Sequence, residues 1–197
     1  MRRYWQYLKY VCRHKYHVFR ACLALGVPLW IAIFHDWDKF LPDEFLPYAR
    51  TFYAPDGTKQ YVEGVDFARA WMKHQHRNKH HWQYWLNCDG IPLPKRRNII
   101  VWDRGIAQMI YSQFHDGKTE WVLCDVEDYH IEIREPMPDV YRREMLADWR
   151  GAGLALGFPD TAGWYVKNRD NIKLHSETRA WIEQQLGVYE SELVETW

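Results

Sequence analysis

The feature that most constrains this chain is a His-Asp doublet, His35-Asp36, which closes an apolar run beginning at Val27. A lysine, Lys39, follows three residues after the aspartate. Adjacent imidazole and carboxylate groups offer a divalent cation one nitrogen and one oxygen ligand from the same turn of backbone. Two ligands do not complete a site, so the fold has to bring more distant residues to the doublet.

The other candidate ligands are histidines and an aspartate on both sides of the doublet. They are His14 upstream, His74, His80 and His81 in a histidine-rich stretch, and Asp148 far downstream. Each histidine taken alone is more often a packed or surface residue than a ligand. Their occurrence together with the doublet favours a metal site. A mixed set of imidazoles and carboxylates suits Mn, Fe, Co, Ni or Zn better than Mg, which prefers oxygen ligands.

Composition excludes several classes of protein. The chain has 197 residues, which suits a single domain, and its 26 Lys and Arg residues balance 26 Asp and Glu residues. A net charge of zero disfavours a nucleic-acid-coating protein, although a local basic patch is compatible with it. The most apolar stretch, 21–34, is too short to span a bilayer, so we expect no membrane partner. Four cysteines without CxxC spacing and no secretory signal indicate reduced thiols in the cytoplasm.

Helical periodicity recurs along most of the chain and predicts a mostly α fold. Residues 3–25 carry an inward-facing apolar stripe that includes His14. We predict further helices at 28–37, 41–52, 65–86, 139–150, 160–169 and 176–187. We expect Gly151, Gly153 and Gly157 to interrupt the helix that begins at 139, and Ser176 to cap the last one.

The predicted helix 65–86 makes the roles of its histidines unequal. His74 and His81 lie on one face, whereas His80 points about 100° away from His81 if the helix is regular. Both neighbours would reach the site only if the helix is distorted there or if two metals are bound. The sequence leaves that choice open.

Residues 88–136 have a different pattern and are predicted to be an insertion in a single domain spanning 1–197. Alternating segments at 106–114 and 119–134 flank the sequence His115-Asp116-Gly117-Lys118. An Asp-Gly pair between such segments is typical of a β-hairpin. We therefore predict a small β-hairpin insertion around residues 100–135, with a short helix as an alternative for its first arm.

The order of the candidate ligands resembles the HD superfamily of metal-dependent phosphohydrolases. In that superfamily a histidine, a His-Asp doublet and a later aspartate bind one metal inside a helical bundle; His14, His35-Asp36 and Asp148 match this order. Members with two metals add histidines between the doublet and the final aspartate, which is where His74, His80 and His81 stand. The resemblance implies an HD-type helical bundle whose cofactor is a divalent metal, with two ions expected.

A closer resemblance is to an uncharacterised family found in phages and bacteria, which would place the protein in the host cytoplasm if it is phage-encoded. It covers most of the chain outside 88–136 and supports the fold and the site more than a reaction. Asp38 stands where this resemblance leads us to expect serine. The motifs that carry it include His35-Asp36-x-x-Lys39-Phe40-x-Pro42-x-Glu44-Phe45, Asn78-x-His80-His81-Trp82-x-Tyr84-Trp85 and Met145-x-x-Asp148-Trp149.

The function that these patterns favour is hydrolysis of a small phosphate substrate, a nucleotide or cyclic nucleotide, by a hydroxide that bridges two metals. Asp36 would bridge the metals and Lys39 would contact phosphate, although an ion pair with Asp36 or Asp43 is the alternative for Lys39. Glu44 would act as a ligand, as an acid or base, or by orienting an imidazole, unless it only compensates charge at a helix N-terminus.

Two further residues are candidate substrate contacts beside Lys39, namely Asn78 and Trp85. The sequence also leaves two other functions open. One is an HD-type di-iron oxygenase. The other is a non-catalytic, metal-stabilised phage protein that binds a host factor or a nucleotide signal.

Overall fold

The computed structural model describes residues 1–88, 99–103, 106–115, 118–125 and 132–188, and describes side chains outside 87–133 and 189–197. The chain divides into two compact units, Met1–Trp85 with Pro136–Trp197, and Leu86–Glu135. The first unit is helical, and the described strands belong to the second. The fold is therefore mostly α with a small β insertion, as predicted.

Seven α-helices lie in the described part of the first unit. No described helix is long and apolar enough to cross a bilayer. Short 3-10 turns at Trp37–Phe40, Trp82–Trp85 and Arg169–Asn171 follow α2, α4 and α6. The helices are α1 (Arg2–Ala24), α2 (Leu29–Phe34), α3 (Pro42–Phe52), α4 (Val65–Arg77), α5 (Asp139–Leu156), α6 (Thr161–Asn168) and α7 (Ser176–Leu186).

Helix α1 lies at the centre of the helical unit and packs against α2, α3 and α5. Its inward stripe is buried as predicted and includes His14 between Val11 and Val18. These apolar neighbours exclude water from the imidazole, so a polar partner has to come from another helix. Asp36, which follows α2, and Asp148 of α5 both supply it.

Helix α5 approaches α1 most closely at Gly151, where a Cβ atom would lie 2.3 Å from Cγ2 of Val18. The prediction that Gly151 and Gly153 interrupt this helix was wrong. The helix continues to Leu156 and ends at Gly157, whose φ of 87° is left-handed. Glycine costs a helix interior only about 1 kcal/mol relative to alanine, so close helix packing outweighs it here.

Helix α4 ends at Arg77 and not at residue 86, so this predicted boundary was wrong. Asn78 is extended, with φ −103° and ψ 112°. Its side-chain amide donates to the carbonyl of His74 at 3.0 Å, which satisfies an acceptor at the helix end. The chain then turns, and His81 N donates to Asn78 O at 3.1 Å. The 100° helical spacing therefore does not apply to His80 and His81.

Two smaller boundaries also differ from the predicted ones. Helix α2 ends at Phe34, before the predicted residue 37, because His35 leaves the helical region with φ −47° and ψ 126°. The cap of α7 is His175 and not Ser176, since Nδ1 of His175 accepts from Glu177 N at 3.3 Å.

The second unit contains two antiparallel sheets. The strands β2, β3 and β4 pair in that order, and β3 with β4 is the predicted hairpin, in which His115 pairs with Lys118. Its first arm is a strand and not a short helix. The Asp-Gly pair of the turn lies outside the described residues. The strands are β1 (Leu86–Cys88), β2 (Ile99–Asp103), β3 (Ile106–His115), β4 (Lys118–Asp125) and β5 (Glu132–Arg134), and β1 pairs with β5.

Candidate metal centre

The backbone conformation at the end of α2 determines how His35 and Asp36 are oriented. Asp36 has φ 51° and is the one non-glycine residue in the described part of the chain with a left-handed backbone. Such a conformation costs of order 1–3 kcal/mol and is often found at functional sites. Lys15 from α1 donates to the carbonyls of Ile33, at 3.2 Å, and His35. This lysine thereby satisfies the last carbonyls of α2 and fixes the doublet against α1.

A first group of candidate ligands lies at one oxygen of the Asp36 carboxylate. Its Oδ2 is 3.2 Å from Nε2 of His14 and 3.3 Å from Nε2 of His35. Oδ1 of Asp148 is 3.2 Å and 3.4 Å from the same two nitrogens. The atoms that these four residues offer all lie within 4.8 Å of one another. The predicted convergence of α1, the doublet and α5 is therefore present.

A second group lies at the other oxygen of the same carboxylate. Oδ1 of Asp36 is 3.3 Å from Nε2 of His74 and 3.3 Å from Nε2 of His80. His81 completes the group, with its ring centroid 4.3 Å from that of His80 and 4.8 Å from that of His74. Both neighbouring histidines reach the site because the chain turns at Asn78.

The inward-facing atoms of both groups are buried, yet several of them have no hydrogen-bond partner. Nε2 of His14 and Oδ2 of Asp36 form a hydrogen bond at 3.2 Å, but most of the other short contacts between these nitrogens and oxygens lack hydrogen-bond geometry. An unsatisfied buried polar atom costs about 1–3 kcal/mol, and cations would satisfy all of them at once. The donor set therefore fits two divalent ions that share Asp36. The unpartnered atoms include Nε2 of His35, His74, His80 and His81, Oδ1 of Asp36 and Oδ1 of Asp148.

Two further carboxylates lie behind His74. Its Nδ1 is 3.1 Å from Oε2 of Glu44 and 3.2 Å from Oδ2 of Asp38, and both carboxylates are fully buried. Asn78 donates to Asp38 at 2.6 Å, and Arg77 donates to Glu44 at 3.0 Å. A proton on Nδ1 that is held by these oxygens leaves Nε2 free to face Asp36. The contacts of Glu44 are thus those of a residue that orients an imidazole.

Glu144 was missed in the sequence. Its Oε1 is 3.0 Å from Nδ1 of His35 and 3.4 Å from Nδ1 of His80. One signal could have found it: Glu144 lies four residues before Asp148, so that the two carboxylates share a face of α5. Asp38 was noted only as a departure from the expected serine, and its role as a partner of His74 was not foreseen.

Lys39 forms an ion pair with Asp36, with 2.5 Å between Nζ and Oδ2. Burial lowers the pKa of this lysine, but the charges of Asp36 and Asp148 outweigh burial and raise it well above its usual range. The ammonium of Lys39 therefore carries a positive charge beside Asp36 near neutral pH. The ion pair is one of the two roles considered for it.

The imidazoles differ in protonation when no metal is bound. Burial lowers the pKa of His35, but the charge of Asp36 and the neighbouring carboxylates of Asp148 and Glu144 raise it well above its usual range. For His74, burial also lowers the pKa, but the charge of Asp36 outweighs burial and raises the pKa to about 10. Burial and the neighbouring His80 and His74 hold the pKa of His81 well below its usual range. Cations would displace protons from His35 and His74 but meet a neutral His81.

The predicted substrate contacts Asn78 and Trp85 both have their polar hydrogens engaged within the protein. The side-chain amide of Asn78 donates to the carboxylate of Asp38 and to the carbonyl of His74 at the end of α4. The Trp85 indole donates to Lys79 O at 2.8 Å, and its ring centroid lies 6.0 Å from that of Tyr141. Their roles in binding a substrate stay predictions.

Comparison with known proteins identifies a family and no activity. A model described as a family of unknown function, DUF5662, matches residues 3–188. No curated protein and no solved structure matches the chain. The matched range holds both ligand groups, from His14 to Asp148. The chain therefore belongs to the DUF5662 family, whose function is unknown.

Proposed function

We propose that the protein is a metal-dependent hydrolase of the HD type that acts as a phosphohydrolase on a nucleotide or cyclic nucleotide. The observation that carries this proposal is that the two oxygens of Asp36 face two separate groups of imidazoles. Carboxylates in that position commonly bridge the two ions of hydrolytic sites, where the ions lie about 3.5–4 Å apart. Mn, Fe, Co, Ni and Zn suit this donor set.

Each half of the centre would hold one ion with residues from different helices. His14, His35 and Asp148 would complete one half, and the three later histidines the other. Bound divalent ions supply Lewis acidity, which activates water and offsets the charge that develops on phosphorus. Glu144 behind His35 and His80, and Asp38 and Glu44 behind His74, would hold the remaining ring proton on Nδ1, so that Nε2 is available to an ion.

Lys39 is the residue best placed to bind a phosphate group. Lys39 and Asp148 each retain 13% exposure of their side chains, whereas the side chains of His35 and Asp36 are at most 1% exposed. This difference marks the edge of the centre that solvent reaches. Bound cations would neutralise the negative charge of the Asp36 carboxylate in place of Lys39. The ammonium of Lys39 would then be available to pair with a phosphate oxygen.

The test is turnover by the metal-loaded protein. Protein containing Mn would be incubated with nucleoside monophosphates, triphosphates and cyclic phosphates, and the products separated by chromatography. We expect turnover of one class, loss of it in Asp36→Asn, and a strong reduction in Lys39→Met. Lys73→Met is the matched control, since Lys73 pairs with Asp43 on the surface, 57% exposed. Absence of turnover with both ions verified in the protein would contradict the proposal.

The same preparation distinguishes the other two functions. A di-iron oxygenase would bind iron and consume oxygen. A metal-stabilised binding protein would retain its ions and bind a nucleotide or a protein partner without forming a product. The observation that favours the binding protein is the burial of His14, His35, His74 and His80, each at most 3% exposed, because closed sites are typical of structural metals.

A further inference from the structure

We infer that Glu144 is a positioning residue shared by both halves of the centre, so that one carboxylate sets the cation affinity of both. The inference rests on the proposed two-ion centre. It does not depend on the reaction that the centre performs, or on whether it performs one.

The geometry at Glu144 joins residues from the two ligand groups. The same oxygen, Oε1, is 3.0 Å from Nδ1 of His35 and 3.4 Å from Nδ1 of His80. His35 belongs to the group with His14 and Asp148, and His80 to the group with His74 and His81. The rings of His35 and His80 lie 4.4 Å apart between centroids. The Glu144 side chain is 7% exposed, so water does not replace these contacts.

An ionised carboxylate can only accept hydrogen bonds, so Glu144 favours a proton on Nδ1 of each of these rings. A neutral imidazole that donates from Nδ1 carries its lone pair on Nε2. In His35 and His80 that nitrogen faces Asp36, where the cations would bind. Partners of this kind orient the ring and raise its basicity as a ligand, and their loss typically costs about 10–100-fold in metal affinity.

Glu144 is better explained as a partner of the rings than as a ligand of a third ion. Glu144, His35 and His80 do form a group that could hold a cation. Such an ion would bind the Nδ1 atoms of rings whose Nε2 atoms already face the centre. An imidazole that binds cations through both nitrogens has to lose its second proton, whereas a hydrogen bond to Glu144 keeps that proton in place.

The other carboxylates behind the rings are not shared. Asp38 and Glu44 both contact Nδ1 of His74, which belongs to one group alone. Asp38 therefore supports a single half of the centre, and Glu144 supports both. This difference provides a matched pair of variants in which a buried carboxylate becomes an amide of the same shape.

The test is a Co²⁺ titration of the full-length protein, with bound metal counted by elemental analysis and each binding event followed by the visible absorption of the ion. We expect the wild type to bind two ions. Glu144→Gln should weaken both by about 10–100-fold, and Asp38→Asn should weaken one. Glu177→Gln, at the exposed start of α7, should change neither. Circular dichroism of each metal-free variant checks folding.

Three results would overturn the inference: Glu144→Gln weakens one ion alone, it weakens neither, or the wild type binds three ions and the variant two. If Glu144→Gln does not fold, Glu144→Asp replaces it. That variant keeps the charge but withdraws the carboxylate by one methylene, and both affinities should again fall together. A wild type that binds two ions and hydrolyses no phosphate ester refutes the proposed activity alone, whereas a wild type that binds no ion refutes both.

Discussion

Asp36 determines more of the centre than any other single residue, because it belongs to both large ligand groups. Burial opposes its ionisation, but the charges of His35 and Lys39 prevail and hold the pKa of its carboxyl well below its usual range. The doublet could be recognised in the sequence. Its bridging position was also predicted, but which histidines each of its oxygens faces was not, since this depends on the left-handed backbone at Asp36, which residue type alone does not predict.

Replacement of this one residue should remove both ions. In Asp36→Asn the bridging charge is lost while the shape is kept, and we expect affinity for each ion to fall by more than about 100-fold, beyond the loss caused by an outer partner. Elemental analysis after dialysis measures how many ions the variant retains. Asp43→Asn, a change in an exposed carboxylate of α3, should keep two ions. Retention of one ion by Asp36→Asn would show that the halves do not share the carboxylate.

His74 predicts how metal binding depends on pH. In the metal-free protein its pKa is raised to about 10, because the charge of Asp36 outweighs burial. The stabilisation from this protonated pair is complete below the unfolded value near 6.5 and is lost as the pH rises towards 10. A cation needs the neutral ring, so its affinity should increase with pH over the same interval.

Thermal unfolding with and without Zn²⁺ measures this linkage. The metal-free Tm should fall between pH 7 and pH 9.5, and the increase in Tm caused by the ion should grow. Proton release on binding, measured with an indicator dye, should accompany loading at pH 7. An increase in Tm that shrinks as the pH rises would show that His74 is not a ligand.

At the scale of the elements, sequence periodicity predicted the helices but not where all of them end. The stripe on α1 placed His14 correctly because one helix face contacts the core throughout its length. The end of α4 was missed because Asn78 terminates it through bonds to His74 and to Asp38, and the second of these partners is forty residues away in sequence. Local spacing does not reveal such a contact. The same turn gives His80 and His81 access to one centre.

Gly151 should be required for the contact between α1 and α5. In Gly151→Ala the new Cβ would lie 2.6 Å from the backbone nitrogen of Val18, which cannot move as a flexible side chain can. We expect a loss of about 1–3 kcal/mol in the free energy of unfolding. Asp148 lies one turn earlier on α5, so its distance from His14 should increase and metal affinity should fall as well.

For Gly151→Ala, urea denaturation of the metal-free protein measures the loss in the free energy of unfolding, and Co²⁺ titration measures the loss of metal affinity. Gly64→Ala is the control, because a Cβ at Gly64 meets nothing within 4 Å and its φ is −143°. Equal stability of Gly151→Ala and the wild type would mean that the helices separate without cost at this position.

At the scale of the whole molecule, every residue assigned to the centre belongs to the helical unit. The order of ligands along the chain indicated this before the structure, since none of them falls within 88–136. The strands of the insertion were foreseen only in part. The hairpin of β3 and β4 has a local turn signal, whereas the pairing of β1 with β5 joins residues more than forty positions apart and leaves no such signal.

Removal of the insertion should therefore leave metal binding intact. Cys88 and Glu132 are paired across β1 and β5, so an Asn-Gly turn can replace residues 89–131 and close a short hairpin. The shortened protein should bind two ions with affinities within a few-fold of the wild type, as measured by Co²⁺ titration. Loss of either ion in a variant that retains helical circular dichroism would show that the insertion contributes to the centre.

The most direct test of two cations sharing Asp36 is anomalous diffraction from crystals grown with Mn²⁺ or Zn²⁺, measured on both sides of the absorption edge of the metal. We predict two peaks about 3.5–4 Å apart, one among His14, His35 and Asp148 and the other among the three later histidines, with Asp36 between them. No peak at this centre, or a single ion that leaves one oxygen of Asp36 without a metal, would contradict the account.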